Sequence, residues 1–346
     1  MTTNQAPKTL RPFIEAMQVG DPLGHLNLTL VPLRGERRGQ LDYLLSMDAL
    51  TAGTLTITEV SEGGSVPELL AVNQGQQMLL LLDGEELVGA KQNRILNTTV
   101  LLPAQSKTRI PVSCVEQGRW RHVSHEFASG SYSPAKLRAR KSRDVSHNLA
   151  TVGEARSDQG GVWEEVAANM CAAAVPSPTM AMHDVVDQRR DSLTGFVEAI
   201  RYPAEARGVM AAIDGHFVAL DLFDKPATLE RIWARLITGY AMDAIVRNQE
   251  AEKGKQFTAK GATAVLEHVG EIECQAFRSV GVGEDWRFEA TDVLGQALVA
   301  EGECVHLCVF PNHLAGRRQE PGSNIMPPSG RRRIRRSQPP DAGLSE

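Results

Sequence analysis

Two periodicities divide this chain, and they constrain its fold more than any other feature of the sequence. Leu26–Leu33 and Thr54–Val60 alternate apolar and polar residues, which predicts strands with one buried face and one solvated face. From about residue 162 to residue 250, apolar residues recur at helical spacing instead, most clearly in LERIWARLITGYAMDAIVRN from Leu229. Because strands and helices follow one another in blocks, the sequence predicts an α+β fold.

Strand-like segments return near the C-terminus, where EIECQAFRSV, DWRFEAT, QALVAEG and CVHLCVF follow one another with glycine-rich turns. They predict a four-strand meander. In the N-terminal third, MLLLLDG, RILNTTVLLP and TRIPVSCVEQ predict three further strands. Several short strands at regular spacing favour an antiparallel β-sandwich or barrel-like sheet, here formed from N- and C-terminal strands with a central helical segment.

The composition of the sequence distinguishes one globular domain from an N-terminal and a C-terminal segment. We expect a flexible N-terminus over residues 1–14, a single α+β domain over 15–312 and a disordered arginine-rich tail over 313–346. From Arg317 onward this tail holds seven arginines against three acidic residues. Within the domain, residues 128–161 are rich in serine, arginine and glycine, and we interpret them as a long mobile loop, either a binding loop or a linker.

Charge and apolar content argue against two classes of partner. The formal net charge of the 346 residues is −5, so bulk electrostatics do not favour nucleic acid. Two basic segments, KLRARKSR in the predicted loop and RRRIRR in the tail, leave nucleic-acid binding as a third possibility that the acidic body argues against. The longest apolar run, Met78–Leu82, is far shorter than the roughly 20 residues of a membrane-spanning helix.

The N-terminus has no secretory signal pattern and five cysteines lack regular spacing, so we expect a cytoplasmic protein with reduced thiols.

Most candidate site residues fall between Glu85 and Trp120, a segment called the polar strip below. Lysine and arginine together suit an anionic group, because a guanidinium offers two parallel hydrogen bonds. Asparagine is disfavoured inside strands, so Asn97 indicates a hydrogen-bonding task. The predicted ligand-binding residues are Glu85, Lys91, Gln92, Asn93, Arg94, Asn97, Arg119 and Trp120, and the predicted catalytic residues are Glu116 and Glu86.

Each residue type has an expected task in such a site. Lys91, Arg94 and Arg119 would hold the anion, and the side-chain amides would orient it. The carboxylates would bind a ribose hydroxyl or act as acid or base, for which a raised pKa would help. Trp120 would stack on a base or on an arginine, although a tryptophan after a strand belongs to the core more often.

Alternation in TRIPVSCVEQ places Ile110, Val112, Cys114 and Glu116 on one strand face. The two apolar residues mark that face as buried, so the Glu116 carboxylate at its rim needs a partner. One alternative to a ligand-binding role is therefore an ion pair with a nearby arginine or lysine that closes the sheet. Cys114 would need a nearby histidine or other cation to become a nucleophile, and we interpret it as a buried structural cysteine.

Near the C-terminus, Cys304, His306 and Cys308 alternate on one predicted strand face and are potential metal ligands. Neighbouring positions on such a face lie about 6.7 Å apart, which is too far for all three to bind one ion easily. We therefore predict no metal site. The sequence also contains no Walker, G-x-S-x-G or H-E-x-x-H motif, so it identifies no cofactor.

The stretch GEELVGAKQNRILNTTVLLPAQSKTRIPVSCVEQGRW resembles a family called the ARG and Rhodanese-Phosphatase-superfamily-associated protein domain, in which ARG stands for ADP-ribosylglycohydrolase. AFRSVGVGEDWRF and CVHLCVF are similar to its C-terminal strands, so the resemblance covers roughly residues 15 to 312. It implies a role near NAD or ADP-ribose metabolism, or in processing a phosphorylated nucleotide. It also implies an ADP-ribosylglycohydrolase or phosphatase-like protein partner, and it supplies no catalytic residue.

Two hypotheses follow. In the first, the chain binds or processes an anionic, nucleotide-like or phosphorylated small molecule at the polar strip. In the second, it is a non-catalytic accessory protein that docks onto a partner enzyme, with residues 128–161 as the contact. Geometry discriminates between them, because a ligand site requires the named side chains to converge in one pocket.

Overall fold

The strands and helices follow the two periodicities of the sequence. The computed structural model describes residues 8–35, 40–61, 67–247 and 257–316. Its strands are β1 (Lys8–Thr9), β2 (Gln18–Val19), β3 (Leu23–His25), β4 (Leu28–Arg34), β5 (Tyr43–Leu45), β6 (Leu55–Glu59), β7 (Glu68–Asn73), β8 (Met78–Leu81), β9 (Glu85–Gly89), β10 (Arg94–Leu96), β11 (Val100–Leu102), β12 (Ser106–Cys114), β13 (Phe127–Tyr132), β14 (Ala206–Ile213), β15 (His216–Phe223), β16 (Glu273–Arg278), β17 (Glu284–Glu289), β18 (Val293–Ala300) and β19 (Glu303–Pro311). Its α-helices are α1 (Arg11–Ile14), α2 (Ser46–Thr51), α3 (Ala135–Val152), α4 (Gln159–Ala172), α5 (His183–Gln188), α6 (Arg190–Ala199), α7 (Pro226–Arg247) and α8 (Ala259–Glu271), and a 3-10 helix spans Asn312–Ala315.

Three sheets contain these strands. The largest has the order β1-β16-β17-β18-β19-β15-β14-β4-β2, and β3 also pairs with β4. The second has the order β13-β9-β10-β12-β7-β6, and the third has the order β11-β8-β5. In the described part of the chain, β5 and β8 are parallel and the other named strand pairs are antiparallel. N- and C-terminal strands thus share the largest sheet, and the predicted α+β fold is confirmed.

The predicted C-terminal meander is present, because β16, β17, β18 and β19 are successive neighbours. One predicted strand is divided: RILNTTVLLP forms β10 and β11, which belong to different sheets. At the break, the Asn97 side chain donates to Ala155 O, and Thr98 Oγ1 donates to Asp285 Oδ2, so both polar groups bond outside a strand ladder. Strand β14 was not predicted, because every residue in it is buried and no alternation results.

Residues 128–161 are not the long loop that their polar composition indicated. They contain most of β13, all of α3 and the start of α4. Helix α3 ends at Gly153, whose φ of 74° is left-handed, and Asp158 accepts hydrogen bonds from Gly160 N and Gly161 N to begin α4. The composition misled because Arg138 and Lys141, on the inner face of α3, are completely buried and paired with acids.

The two ends of the chain extend the domain beyond its predicted bounds. Part of the expected flexible N-terminus forms β1 and α1. Leu10, which lies between them, is 0% exposed, and Ile14 at the end of α1 is 4% exposed. The described chain up to Gly316 belongs to one compact unit. The expected disordered tail started at residue 313, but residues 313–315 belong to the 3-10 helix. Residues 1–7 and the rest of the expected tail, from residue 317, lie outside the described residues.

Helix α7 supplies much of the central core. It contacts β14 and buries Leu229, Leu236 and Tyr240 at no more than 1% exposure, as its apolar stripe predicted. None of the helices in the described ranges is both long and apolar enough to cross a membrane.

Candidate functional site

The polar strip supplies three neighbouring strands of the second sheet, β9, β10 and β12, whereas β11 belongs to the third sheet. Their register places Glu86 opposite Ile95, and Arg94 opposite both Leu87 and Cys114. Because side chains alternate across a strand, Glu86 and Ile95 point to one face, while Arg94 and Cys114 point to the other. The strip is therefore continuous in sequence, but its side chains are divided between two faces of the sheet.

Glu85 lies on the same face as Arg94 and is 1% exposed. Its carboxylate accepts from Ser46 Oγ at 2.7 Å, from Ser129 Oγ at 3.2 Å and from Arg235 Nη1 at 3.2 Å. Three side chains from different segments thus compensate its charge, which ties β9 to helices α2 and α7. Such a carboxylate is well suited to hold these elements together.

Arg94 is completely buried. Its Nη1 donates to Gln92 Oε1 at 3.1 Å, and its Nη2 lies 3.6 Å from Glu59 Oε1. Burial raises the pKa of the Cys114 thiol to about 11, and the charge of Arg94 opposes this only in part. A neutral buried thiol agrees with the interpretation of Cys114 as structural.

Arg119 and Glu116 form the base of the loop that follows β12. Arg119 Nε and Nη2 donate to the two Glu116 oxygens at 2.7 and 2.6 Å, while Nη1 donates to Ala90 O at 2.7 Å and Nη2 to Asn93 Oδ1 at 3.0 Å. Glu116 also accepts from Asn93 N at 3.1 Å. Burial raises the pKa of Glu116, but the hydrogen bonds from Arg119 and Asn93 lower it by more. This geometry supports the ion-pair alternative for Glu116.

Above this base, residues 120–126 form an exposed segment, called the Trp120 loop below. Trp120 is 52% exposed and Val123 is 59% exposed. The Lys91 ammonium lies 5.6 Å from the centroid of the Trp120 ring, within the range of a cation–π contact. Trp120 is thus outside the core, against the usual position of a tryptophan after a strand.

Asn97 lies away from the Arg119 base. Its Nδ2 donates to Ala155 O at 3.2 Å, and its Oδ1 accepts from Ser113 Oγ at 2.7 Å. The Ser113 hydroxyl also bonds the Ser157 hydroxyl. Asn97 therefore has the expected hydrogen-bonding task, and Ala155 and Ser113 of this chain are its partners.

Glu86 is brought together with a residue that the sequence did not indicate. Its Oε2 accepts from Ser131 N at 3.0 Å, from Ser131 Oγ at 2.7 Å and from His183 Nδ1 at 2.8 Å, while Oε1 is buried without a hydrogen bond. Glu86 is completely buried, whereas the His183 side chain is 28% exposed. The hydrogen bond with Glu86 raises the pKa of His183 to about 9, although burial acts in the opposite direction. His183 is therefore an imidazolium at neutral pH, and its Nε2 lies 3.9 Å from Asp187 Oδ2.

A second polar cluster, which we call the buried centre, was also missed. It consists of Asp83, Arg138, Lys141, Asp221 and His306, each at most 1% exposed. Arg138 and Lys141 both pair with Asp83, and Arg138 also pairs with Asp221. No spacing in the sequence connects these residues, because they come from four separate segments.

The three potential metal ligands on β19 do not share one face. Leu298 pairs with His306 and Val299 pairs with Cys304, so Val305 is an extra residue that forms a β-bulge. As a result, Cys308 belongs to the core cluster under α7, whereas Cys304 packs with the opposite cluster around Phe288. Across the ranges that the structure describes, no three His, Cys, Asp or Glu side chains are arranged to hold a metal ion.

Three surface cavities of about 430, 460 and 120 Å³ are lined by residues other than those of the polar strip. The fold and these clusters define an α+β domain with two buried ionic groups, the buried centre and the pair of Arg119 and Glu116. The Trp120 loop is exposed beside the second of these groups. Residues 16–310 match the family described as the ARG and Rhodanese-Phosphatase-superfamily-associated Protein domain, and the chain belongs to that family. Neither the curated proteins nor the solved structures contain a significant match.

Proposed function

We propose that this chain is an accessory protein that docks onto an enzyme of the ADP-ribosylglycohydrolase or rhodanese–phosphatase superfamilies. The family description supports an association of this kind. One structural observation carries the proposal: the Trp120 loop presents two large apolar side chains to solvent from a base that is fixed internally. This loop replaces the contact expected at residues 128–161, because the basic residues Arg138, Lys141 and Arg143 of α3 are buried.

The internal hydrogen bonds of the polar strip support docking over an anion clamp. Arg119 donates to Glu116, Asn93 and the Ala90 carbonyl, so a phosphate would have to displace these acceptors. Arg94 is completely buried and could reach an anion only after a rearrangement of the sheet. Tryptophan is enriched at the energetic centres of protein interfaces, and a rigid loop loses little conformational entropy on binding.

Binding between purified proteins tests the proposal. The chain would be titrated with a purified ADP-ribosylglycohydrolase and, separately, with a purified rhodanese–phosphatase protein from the same source. We expect W120A to weaken the affinity about 30-fold, which corresponds to about 2 kcal/mol, and V123S to weaken it less. V152S is the matched control, because Val152 is 65% exposed outside the loop. Absence of binding to both enzymes, or equal affinity of W120A and wild type, would refute the proposal.

A second candidate keeps the small-molecule hypothesis and moves it to Glu86 and His183. It rests on one observation: a cationic, partly exposed imidazolium is held by a buried carboxylate. His183 would donate a hydrogen bond to an anionic, nucleotide-like ligand, and Glu86 would fix the orientation of His183 or act as the acid–base partner. A link to NAD or ADP-ribose metabolism belongs to this candidate.

Thermal unfolding with ADP-ribose, NAD and nucleoside diphosphates tests the second candidate. A ligand at about 100 times its dissociation constant should stabilise the fold by about 2.7 kcal/mol. We expect H183Q to abolish the shift and H268Q to retain it, because His268 forms a comparable but exposed pair with Asp292. No shift with any of these compounds would reject this candidate.

A further inference from the structure

A small cavity of about 120 Å³ lies where α1, the end of β15 and the β18–β19 turn meet. Its walls include Phe13, Arg207, Asp224, Glu303 and Cys304. It is separate from the polar strip and from the Trp120 loop. We call it the Asp224 cavity.

Two carboxylates of this cavity each have an oxygen without a hydrogen-bond donor. Asp224 is 1% exposed, and its Oδ1 accepts from the Tyr43 hydroxyl, whereas its Oδ2 is buried and unpartnered. Glu303 Oε1 accepts from Gln40 N at 2.9 Å, whereas its Oε2 is buried and unpartnered. A buried carboxylate oxygen without a donor is costly, so the cavity favours an occupant that supplies N–H or O–H groups.

Charged groups of both signs act on the Asp224 carboxylate. Burial raises the pKa of Asp224 to about 6, against the lowering effect of Tyr43, Lys225 and Arg207, and the charge of Glu303 contributes to the rise. Asp224 therefore carries negative charge above that pH, and a cation between it and Glu303 would lower the repulsion that raises its pKa. Arg207 lines the same cavity, and its Nε donates to Phe223 O at 2.9 Å.

A small organic cation fits these walls better than a metal ion does. Burial raises the pKa of the Cys304 thiol, so this side chain offers no thiolate at neutral pH. The described residues also contain no metal-ligand group of three side chains. Phe13 and Pro12 also line the cavity, and their apolar side chains suit the alkyl end of an alkylammonium group.

We propose that the Asp224 cavity binds a primary alkylammonium ion, whose N–H groups donate to Asp224 Oδ2 and Glu303 Oε2. A primary ammonium supplies three donors and one positive charge in a compact group. Its alkyl end packs against Phe13 and Pro12. This binding site is independent of the docking function proposed above.

The test compares two salts on the full-length chain at pH 8. Methylammonium and tetramethylammonium carry the same charge, but the second has no N–H donor. We expect methylammonium chloride to raise Tm saturably above the value in tetramethylammonium chloride at equal concentration. D224N and E303Q should lose this difference, while E301Q should retain it, because Glu301 is exposed and two residues from Glu303.

Each outcome decides the proposal. Equal Tm values of the wild type in the two salts would overturn it. A methylammonium effect that persists in E303Q would also overturn it, and this variant serves if D224N fails to fold. Loss of the effect in E303Q with retention in E301Q would support it.

Discussion

Arg138 and Asp221 form a two-point ion pair inside the protein, with Nη1–Oδ2 and Nη2–Oδ1 distances of 3.0 and 2.6 Å. Both side chains are completely buried, so helix α3 is joined to strand β15 without contact with water. His306 Nε2 lies 3.1 Å from Asp221 Oδ1, and the Tyr240 hydroxyl donates to Oδ2. The Asp221 carboxylate is thus surrounded by partners that compensate its burial.

Removal of this carboxylate should destabilise the fold strongly. In D221N the guanidinium of Arg138 loses its closest negatively charged partner. We expect the free energy of unfolding to fall by about 3–5 kcal/mol. Urea denaturation of the two proteins measures this difference. The exposed pair Arg156–Glu154 is the control, because R156M should change stability by at most about 1 kcal/mol. Equal losses in both variants would contradict the role of burial.

The same ion pair predicts acid sensitivity. Burial raises the pKa of Asp221, but Arg138 and His306 lower it by more, so the folded-state pKa lies below the unfolded value of about 3.9. A group of this kind stabilises the fold above its unfolded pKa, and the contribution is lost as pH falls through the folded pKa. D221N should therefore lose less stability than wild type when pH falls below about 4.

The pair of His183 and Glu86 predicts the opposite pH dependence. The pKa of His183 is about 9 in the folded chain and about 6.5 when unfolded. Its contribution is fully present below pH 6.5 and is lost as pH rises through 9, and a hydrogen bond to a charged group contributes about 1.5–3 kcal/mol. Urea midpoints measured from pH 6 to pH 10 should fall in wild type more than in H183Q. Parallel curves for the two proteins would show that the pair does not stabilise the fold.

The sequence predicted the strands and helices that have one buried apolar face and one exposed polar face. It missed those in which burial and polarity do not follow this pattern. Strands β4 and β6 carry partly exposed residues among their buried ones, so their alternation was visible, whereas β14 is buried throughout. Helix α3 was hidden for a different reason: its buried positions include Arg138 and Lys141, which composition assigns to solvent. Only a partner distant in sequence makes such burial possible.

The sequence predicted that single residues of the site need hydrogen-bond partners, but it did not predict which residues come together. The hydrogen-bonding tasks of Asn97 and Glu116 follow from the cost of burying polar groups, and the structure provides their partners. The convergence of the strip into one pocket did not follow, because the strand register decides which face each side chain occupies. His183 is 97 residues from Glu86, and no local pattern connects them.

Cysteine labelling tests the structural interpretation of Cys114. Burial raises its pKa to about 11, and it raises those of Cys274 and Cys308 to about 12. Cys171 is exposed and should react first with a thiol reagent at pH 8. Mass spectrometry of the labelled peptides identifies the sites, and unfolding in urea should make all five cysteines reactive. Rapid labelling of Cys114 in the folded protein would instead indicate an activated thiol.

Replacement of two glycines by alanine, at Gly195 and at Gly153, should change the stability of the fold in opposite directions. A Cβ added at Gly195 or at Gly153 meets no atom within 4 Å, so packing does not distinguish the two positions. Gly195 lies inside α6, where alanine reduces the entropy of the unfolded chain, and G195A should add about 0.4–1 kcal/mol of stability. Gly153 ends α3 with a φ of 74°, so G153A should cost about 1–2 kcal/mol. Urea denaturation of both variants measures the signs, and a destabilised G195A would mean that α6 is not helical at this position.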